Sequence, residues 1–109
     1  MKNAAEMGAY MMDRLRALQD KHAVIAEVRG LGLMIGVELA HDRDATEPWK
    51  ELRDKIVVEC FNRGLVIQGA GESTLRFSPP LIVDREQVDF AVATCNEAIK
   101  SSLRSVTSS

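Results

Sequence analysis

Large aliphatic side chains occupy every second position of residues 33–40, and this alternation limits the possible folds more than any other feature. The apolar positions are Leu33, Ile35, Val37 and Leu39. A period of two indicates a strand with one buried face. Gly30 and Gly32 come just before it and predict a bend or bulge where the chain enters the strand. The chain must therefore contain a sheet whose apolar face other elements cover.

Three other segments have the spacing of amphipathic helices. The first lies close to the N-terminus, the second runs from Thr46 and Pro48 to Gly64, and the third begins at Asp84 with Gln87 in capping-box position. Their apolar stripes are Met7, Met11, Leu15 and Leu18; Trp49, Leu52, Ile56 and Cys60; and Val88, Ala91, Cys95, Ala98 and Ile99. Stripes of this kind pack on one face of a sheet.

A hairpin is predicted between the second and third helices. Residues 65–67 and 74–78 read as short strands joined by a glycine-rich loop, and Pro79 and Pro80 end the second strand because neither can donate to a ladder. The element order is then α-β-α-β-β-α. We expect one α+β domain, with a small antiparallel sheet of about three strands and helices on one face.

Length and charge narrow the class of protein. A chain of 109 residues fits one domain, and 46% hydrophobic with 28% charged residues is ordinary for a globular one. The net charge of -2 excludes strong electrostatic attraction to nucleic acid or anionic membranes. No apolar run reaches the roughly 18 residues that span a bilayer, and the N-terminus has no signal-type segment. We expect a cytoplasmic protein.

Cysteine and histidine positions give no sign of a metal site. Cys60 and Cys95 fall on apolar helix faces and are expected to be reduced core thiols. His22 and His41 have no second ligand at metal-binding spacing and are expected at the surface or at an element's edge.

Arg76 is the candidate binding residue. In the strand at residues 74–78, Leu75 and Phe77 mark the core side, so Arg76 projects from the opposite side. A guanidinium fixed on a strand can bind a carboxylate through two parallel charge-assisted hydrogen bonds. The pattern alone favours a solvated surface arginine over a binding residue.

Three ordered motifs resemble the class III pyridoxal-phosphate-dependent aminotransferases. They are VRGLGLMIGVEL at residues 28–39, FNRGL at 61–65 and GESTLRFSPPL at 71–81, and the likeness covers nearly the whole chain. The sequence of the loop at residues 69–73 resembles the corresponding loop in one branch of this family, the 4-aminobutyrate, acetylornithine and ornithine enzymes.

The resemblance implies that residues 1–109 are the small C-terminal domain of a fold-type I subunit, in which Arg76 binds the substrate carboxylate. The family's cofactor, pyridoxal phosphate, is held by a Schiff-base lysine in the preceding large domain. None of this chain's lysines stands in that sequence context: Lys2, Lys21, Lys50, Lys55 and Lys100. The chain alone is therefore expected to have no catalytic residue, to bind no cofactor and to be inactive.

For the full enzyme, the resemblance implies transfer of an amino group from an amino acid or omega-amino acid to a 2-oxo acid, and a homodimer. An amino-acid racemase or epimerase on the same scaffold is the near alternative. A free-standing α+β binding module is the alternative from another class. If the large domain is missing, exposed apolar surface should make the isolated chain self-associate.

Overall fold

Three helices and four strands make up the described part of the chain in a computed structural model, which describes residues 2–31, 34–41, 47–77 and 84–107. In chain order they are α1 (Lys2–Lys21), β1 (Ile25–Leu31), β2 (Met34–Leu39), α2 (Lys50–Asn62), β3 (Gln68–Ala70), β4 (Thr74–Phe77) and α3 (Arg85–Thr107). The predicted α+β class is confirmed.

The sheet has the order β1-β2-β4-β3, with every neighbouring pair antiparallel. The sequence predicts about three strands, and the structure adds a fourth, because residues 25–31 form a full strand. In it Val28 lies opposite Val37 and Arg29 opposite Gly36. Gly30 belongs to this strand and does not bend the chain away from it. The alternating residue Leu33 and the second glycine, Gly32, lie outside the described residues.

The hairpin between α2 and α3 is present, but its first strand lies three residues later than predicted. Gly64 ends α2 with a φ of 93°, as expected for a left-handed terminating glycine. The Leu65 N–H donates to the Cys60 carbonyl at 2.8 Å, so the chain is still bound to the helix end there. Pairing starts only at Gln68, which lies opposite Arg76.

The start of α3 agrees with the prediction from the sequence, and the start of α2 differs from it. Asp84 and Gln87 form the predicted capping box, since the Gln87 N–H donates to Asp84 Oδ1 at 2.8 Å and the Asp84 N–H to Gln87 Oε1 at 3.1 Å. Helix α2 begins at Lys50, whereas Pro48 forms an isolated bridge with Ala40. Thr46, like Pro79 and Pro80, lies outside the described residues.

The core lies between the sheet and the helices. Helices α1 and α2 pack against the sheet, and α3 packs against both helices. The predicted stripes are buried except at Trp49, which is partly buried, and they meet inward-facing sheet residues: Ile35, Val37, Leu39, Leu75 and Phe77. Cys60 and Cys95 are buried, unpaired thiols in this core, as predicted. Among the described helices, none is long and apolar enough to cross a membrane.

Candidate functional site

The sheet face turned away from the helices carries Arg76. Its neighbours Leu75 and Phe77 are 0% and 3% exposed and point into the core, so the alternation of β4 places Arg76 on the opposite face. Strand β4 lies between β2 and β3, which hold its backbone on both sides. The predicted orientation of Arg76 is confirmed, and the residue sits on an inner strand of the sheet.

The positions beside Arg76 leave room around its side chain. Gly36 of β2 lies opposite Arg76 on one side, and Gln68 of β3 on the other. Residues opposite one another in a sheet share a face, so a side chain at either position would stand next to the guanidinium. Gly36 has none, so β2 places no side chain beside Arg76 at this position, whereas β3 places Gln68 there.

A second arginine lies in the same row and is already neutralised. Arg29 of β1 is opposite Gly36, and its Nη2 donates to Glu38 Oε1 at 3.0 Å. Its Nη1 donates to Glu27 Oε2 at 3.2 Å. The hydrogen bond that Arg29 donates to Glu38, followed by the charge of Glu38, raises the pKa of Arg29 above its usual value. Arg29 thus has two acidic partners and stays charged at every accessible pH.

Arg76 differs from Arg29 in having no acidic partner among the described residues. Its Nε is buried, and the Nε–H donates to no atom of the described part of the chain. An unsatisfied buried donor costs about 1–3 kcal/mol. A carboxylate beside this guanidinium would supply the acceptor and a compensating charge. Arg76 is therefore the group on this face that is best prepared to bind an anion.

A cleft of about 570 Å³ opens on this face next to Arg76. Its lining includes Ala26, Arg29, Glu38, Ala70, Glu72 and Arg76. The loop at residues 71–73 forms one rim and is tied to β2, because Ser73 Oγ donates to the Leu39 carbonyl at 2.7 Å. The Leu39 N–H returns a bond to the Ser73 carbonyl at 2.9 Å. The cleft is large enough for a small amino acid.

The sequence does not predict the part that Arg53 plays beneath this loop. Arg53 is only 7% exposed, and its Nη1 donates to the Ala70 carbonyl at 3.0 Å. The spacing of an amphipathic helix places it on the polar face, and the acceptors of its Nη1 are backbone carbonyls far along the chain. The available signal is Gly69, whose lack of a side chain admits the guanidinium.

The described residues do not supply a holder for pyridoxal phosphate beside Arg76. Four lysines with described side chains lie on helices, and none of them lines the cleft: Lys21, Lys50, Lys55 and Lys100. Lys55 Nζ instead donates to Ser105 Oγ at 3.3 Å. No group of metal-binding side chains occurs among the described residues. His22 Nε2 is hydrogen-bonded to Asn96 Oδ1 at 2.7 Å, and His41 stacks on Trp49.

The family model for class-III aminotransferases matches residues 1–99. The chain belongs to the class-III aminotransferase family. The predicted family is therefore confirmed, and the family implies pyridoxal phosphate in the complete enzyme.

Class-III relatives and solved structures match most of this chain but only a fraction of their own length. The alanine/serine racemase of Pyrococcus horikoshii is 35% identical over 105 residues, which are 94% of this chain and 22% of that protein. The acetylornithine aminotransferase of Clostridium acetobutylicum is 40% identical over 98 residues, 90% of this chain and 23% of that protein. A solved transaminase with L-alanine superposes with a TM-score of 0.86 at 39% identity, over 96% of this chain and 25% of its own.

Proposed function

We propose that residues 1–109 are the C-terminal small domain of a pyridoxal-phosphate-dependent aminotransferase, and that Arg76 binds the substrate carboxylate. The full enzyme would transfer an amino group from an amino acid or omega-amino acid to a 2-oxo acid. The observation that carries this proposal is the unpaired guanidinium of Arg76, with its buried Nε, on the open face of the sheet. The predicted homodimer and cytoplasmic location belong to the same proposal.

In this proposal the chain binds and orients the substrate. Arg76 forms two parallel hydrogen bonds to one carboxylate, which sets the direction in which the amino group points. Arg29 is occupied by Glu38 and Glu27, so this face offers one free guanidinium and takes one carboxylate. Pyridoxal phosphate, held by the large domain, supplies the electron sink for the reaction.

Arg76→Ala tests the binding role in the protein that joins this chain to its large domain. Hydrogen bonds to a charged group contribute about 1.5–3 kcal/mol, so KM for the amino-acid donor should rise, or kcat/KM fall, by about tenfold or more. Arg63→Ala is the matched control, because Arg63 is exposed and its one ion-pair partner among the described residues is Glu59, four residues earlier. Wild-type kinetics in Arg76→Ala would contradict the role of Arg76.

A racemase or epimerase is the second candidate, and the racemase of Pyrococcus horikoshii among the relatives favours it. Both activities need the amino acid held by its carboxylate, so Arg76 keeps the same role. The two differ in their need for an acceptor. Incubating the full protein with one enantiomer, with and without a 2-oxo acid, separates them: inversion without an acceptor identifies a racemase, and reaction only with an acceptor identifies an aminotransferase.

The exposed apolar side chains of the chain support its proposed origin as part of a larger subunit. Val58, Phe61, Val66 and Phe90 are 58%, 67%, 75% and 49% exposed. Such residues favour contact with other protein surface. The 109-residue chain should therefore self-associate in light scattering at rising concentration, and it should not bind pyridoxal phosphate. A stable monomer at all concentrations would favour a free-standing binding module instead.

A further inference from the structure

Arg53 is the only charged side chain that is buried among the residues the structure describes. It projects from α2 towards the hairpin formed by β3 and β4. A buried charge is costly unless it is paired and hydrogen-bonded. Its ion-pair partner is Asp54, at 2.7 Å from Nε, and the Asp54 side chain is 57% exposed. The rest of the guanidinium must therefore be satisfied by the hairpin.

Backbone carbonyls of the hairpin provide that satisfaction. Arg53 Nη1 donates to the Ala70 carbonyl at 3.0 Å and to the carbonyls of Gly71 and Thr74 at 3.5 Å each. These three residues lie at the end of β3, in the turn and at the start of β4, so one cationic group bridges the whole connection. All three also line the cleft beside Arg76.

Gly69 makes this close approach possible. A Cβ added to Gly69 would lie 2.9 Å from Arg53 Nη1 and 3.0 Å from its Cδ and Cζ, closer than atoms in contact can stand. The guanidinium therefore packs directly on the backbone of β3 at the position opposite Leu75. The next pair of residues along the hairpin is Gln68 and Arg76.

We propose that Arg53 is a positioning residue that holds the β3–β4 hairpin and thereby aims Arg76. This inference rests on the proposed function, since it assigns a supporting role for the same carboxylate site. Strand β3 has three residues and pairs only with β4, so few ladder bonds fix it. Arg53 adds a fixed point from the core side, directly beneath the rim of the cleft. A shift of about 1 Å in a binding group can lower kcat/KM by up to roughly a hundredfold.

The first test compares Arg53→Met, Arg53→Lys and Arg76→Ala in the protein that joins this chain to its large domain, loaded with pyridoxal phosphate. With the best amino-acid donor of the wild type, Arg53→Met should raise KM about tenfold and leave kcat within about twofold, as expected when uniform binding is lost. Amide hydrogen exchange at residues 70–74 should accelerate at least about tenfold in the same variant, while α1 and α3 keep their protection. Arg53→Lys should keep most of both properties, because it retains the charge and one donor nitrogen.

A second test uses Gly69→Ala, with Gly30→Ala as the matched control. A Cβ at Gly30 would meet nothing within 4 Å, so this control should leave KM within about twofold of wild type. Gly69→Ala should raise KM severalfold by displacing the guanidinium. In an Arg53→Ala background the added methyl group has no guanidinium to displace, so Gly69→Ala should then change KM by less than about twofold.

The outcomes separate this inference from the proposed function. If Arg76→Ala raises KM but Arg53→Met changes neither KM nor exchange at residues 70–74, the positioning role is wrong and the carboxylate role stands. If Arg53→Met accelerates exchange equally in every element, Arg53 acts on global stability and the inference is also wrong. If Arg76→Ala leaves KM unchanged, the proposed function fails, and so does the assignment of Arg53 as its positioning residue.

Discussion

Arg29 and Arg76 lie in one row across the sheet, on either side of Gly36, and only Arg29 has an acidic partner among the described residues. Both guanidiniums therefore belong to the open face, but Glu38 holds one of them at 3.0 Å. The face has one occupied and one available cation. This asymmetry is the physical reason to expect that one carboxylate binds, at Arg76.

Substitution of Gly36 should impair carboxylate binding without unfolding the domain. Gly36→Ala and Gly36→Val place progressively more volume between Arg29 and Arg76, so KM for the amino-acid donor should rise in that order, by about tenfold for valine. Valine favours strands, which protects the fold. Steady-state kinetics with Gly30→Ala as control checks this, and equal KM values in all three variants would contradict it.

Removal of Glu38 should free Nη2 of Arg29, whose Nη1 still pairs with Glu27, and give the cleft a second guanidinium donor. In Glu38→Ala, inhibition by succinate should strengthen about threefold or more relative to inhibition by acetate, since two guanidiniums can then share a dicarboxylate. The free energy of unfolding measured in urea should change by no more than about 1 kcal/mol. The Arg29 and Glu38 side chains are each 37% exposed, and ion pairs that solvent reaches contribute little to stability.

Glu72→Ala is the control for charge alone in that experiment. Glu72 lines the same cleft and forms no ion pair with a described residue. Its removal should strengthen inhibition by succinate and by acetate to a similar extent, and less than Glu38→Ala strengthens inhibition by succinate. An equal preference for succinate in the two variants would show that Arg29 is not the released group.

Both cysteines should react slowly with thiol reagents in the folded chain. Cys60 and Cys95 are 0% and 1% exposed. The hydrogen bond with Cys60, followed by complete burial, raises the pKa of Cys95 well above its usual range. Since the thiolate is the reactive form, Cys95 stays protonated and inert at neutral and mildly alkaline pH. Labelling with a disulfide reagent at pH 8 should be at least about a hundredfold faster in denaturant; rapid labelling of the native chain would contradict the buried pair.

The helices and inner strands of the fold can be predicted from the sequence because their residues repeat with a clear period. Met7, Met11, Leu15 and Leu18 are all buried on α1, as their spacing indicates. Strand β1 is missed because glycine in a strand looks like a bend, although Gly30 pairs with Ile35. The start of β3 is misplaced because the backbone bond from Leu65 to Cys60 leaves no trace in side-chain pattern.

The candidate site is predictable only in part, for a related reason. The orientation of Arg76 follows from the alternation with Leu75 and Phe77, which is a local property. The partners of Arg29 and Arg53 are set by the register of β1 and by the turn at Gly71, and these depend on tertiary packing. Sequence therefore identifies the candidate binding residue but not the groups that neutralise its neighbour or contact its hairpin.

The most direct test of the central claim measures the preference for a carboxylate at Arg76. In the full protein loaded with pyridoxal phosphate, kcat/KM is compared for an amino-acid donor and for the matching amine that lacks the carboxyl group. The ratio is kcat/KM for the amino-acid donor divided by kcat/KM for the amine. Arg76→Met should lower this ratio at least about tenfold while leaving kcat/KM for the amine unchanged within about twofold. A ratio equal to that of the wild type would contradict the account.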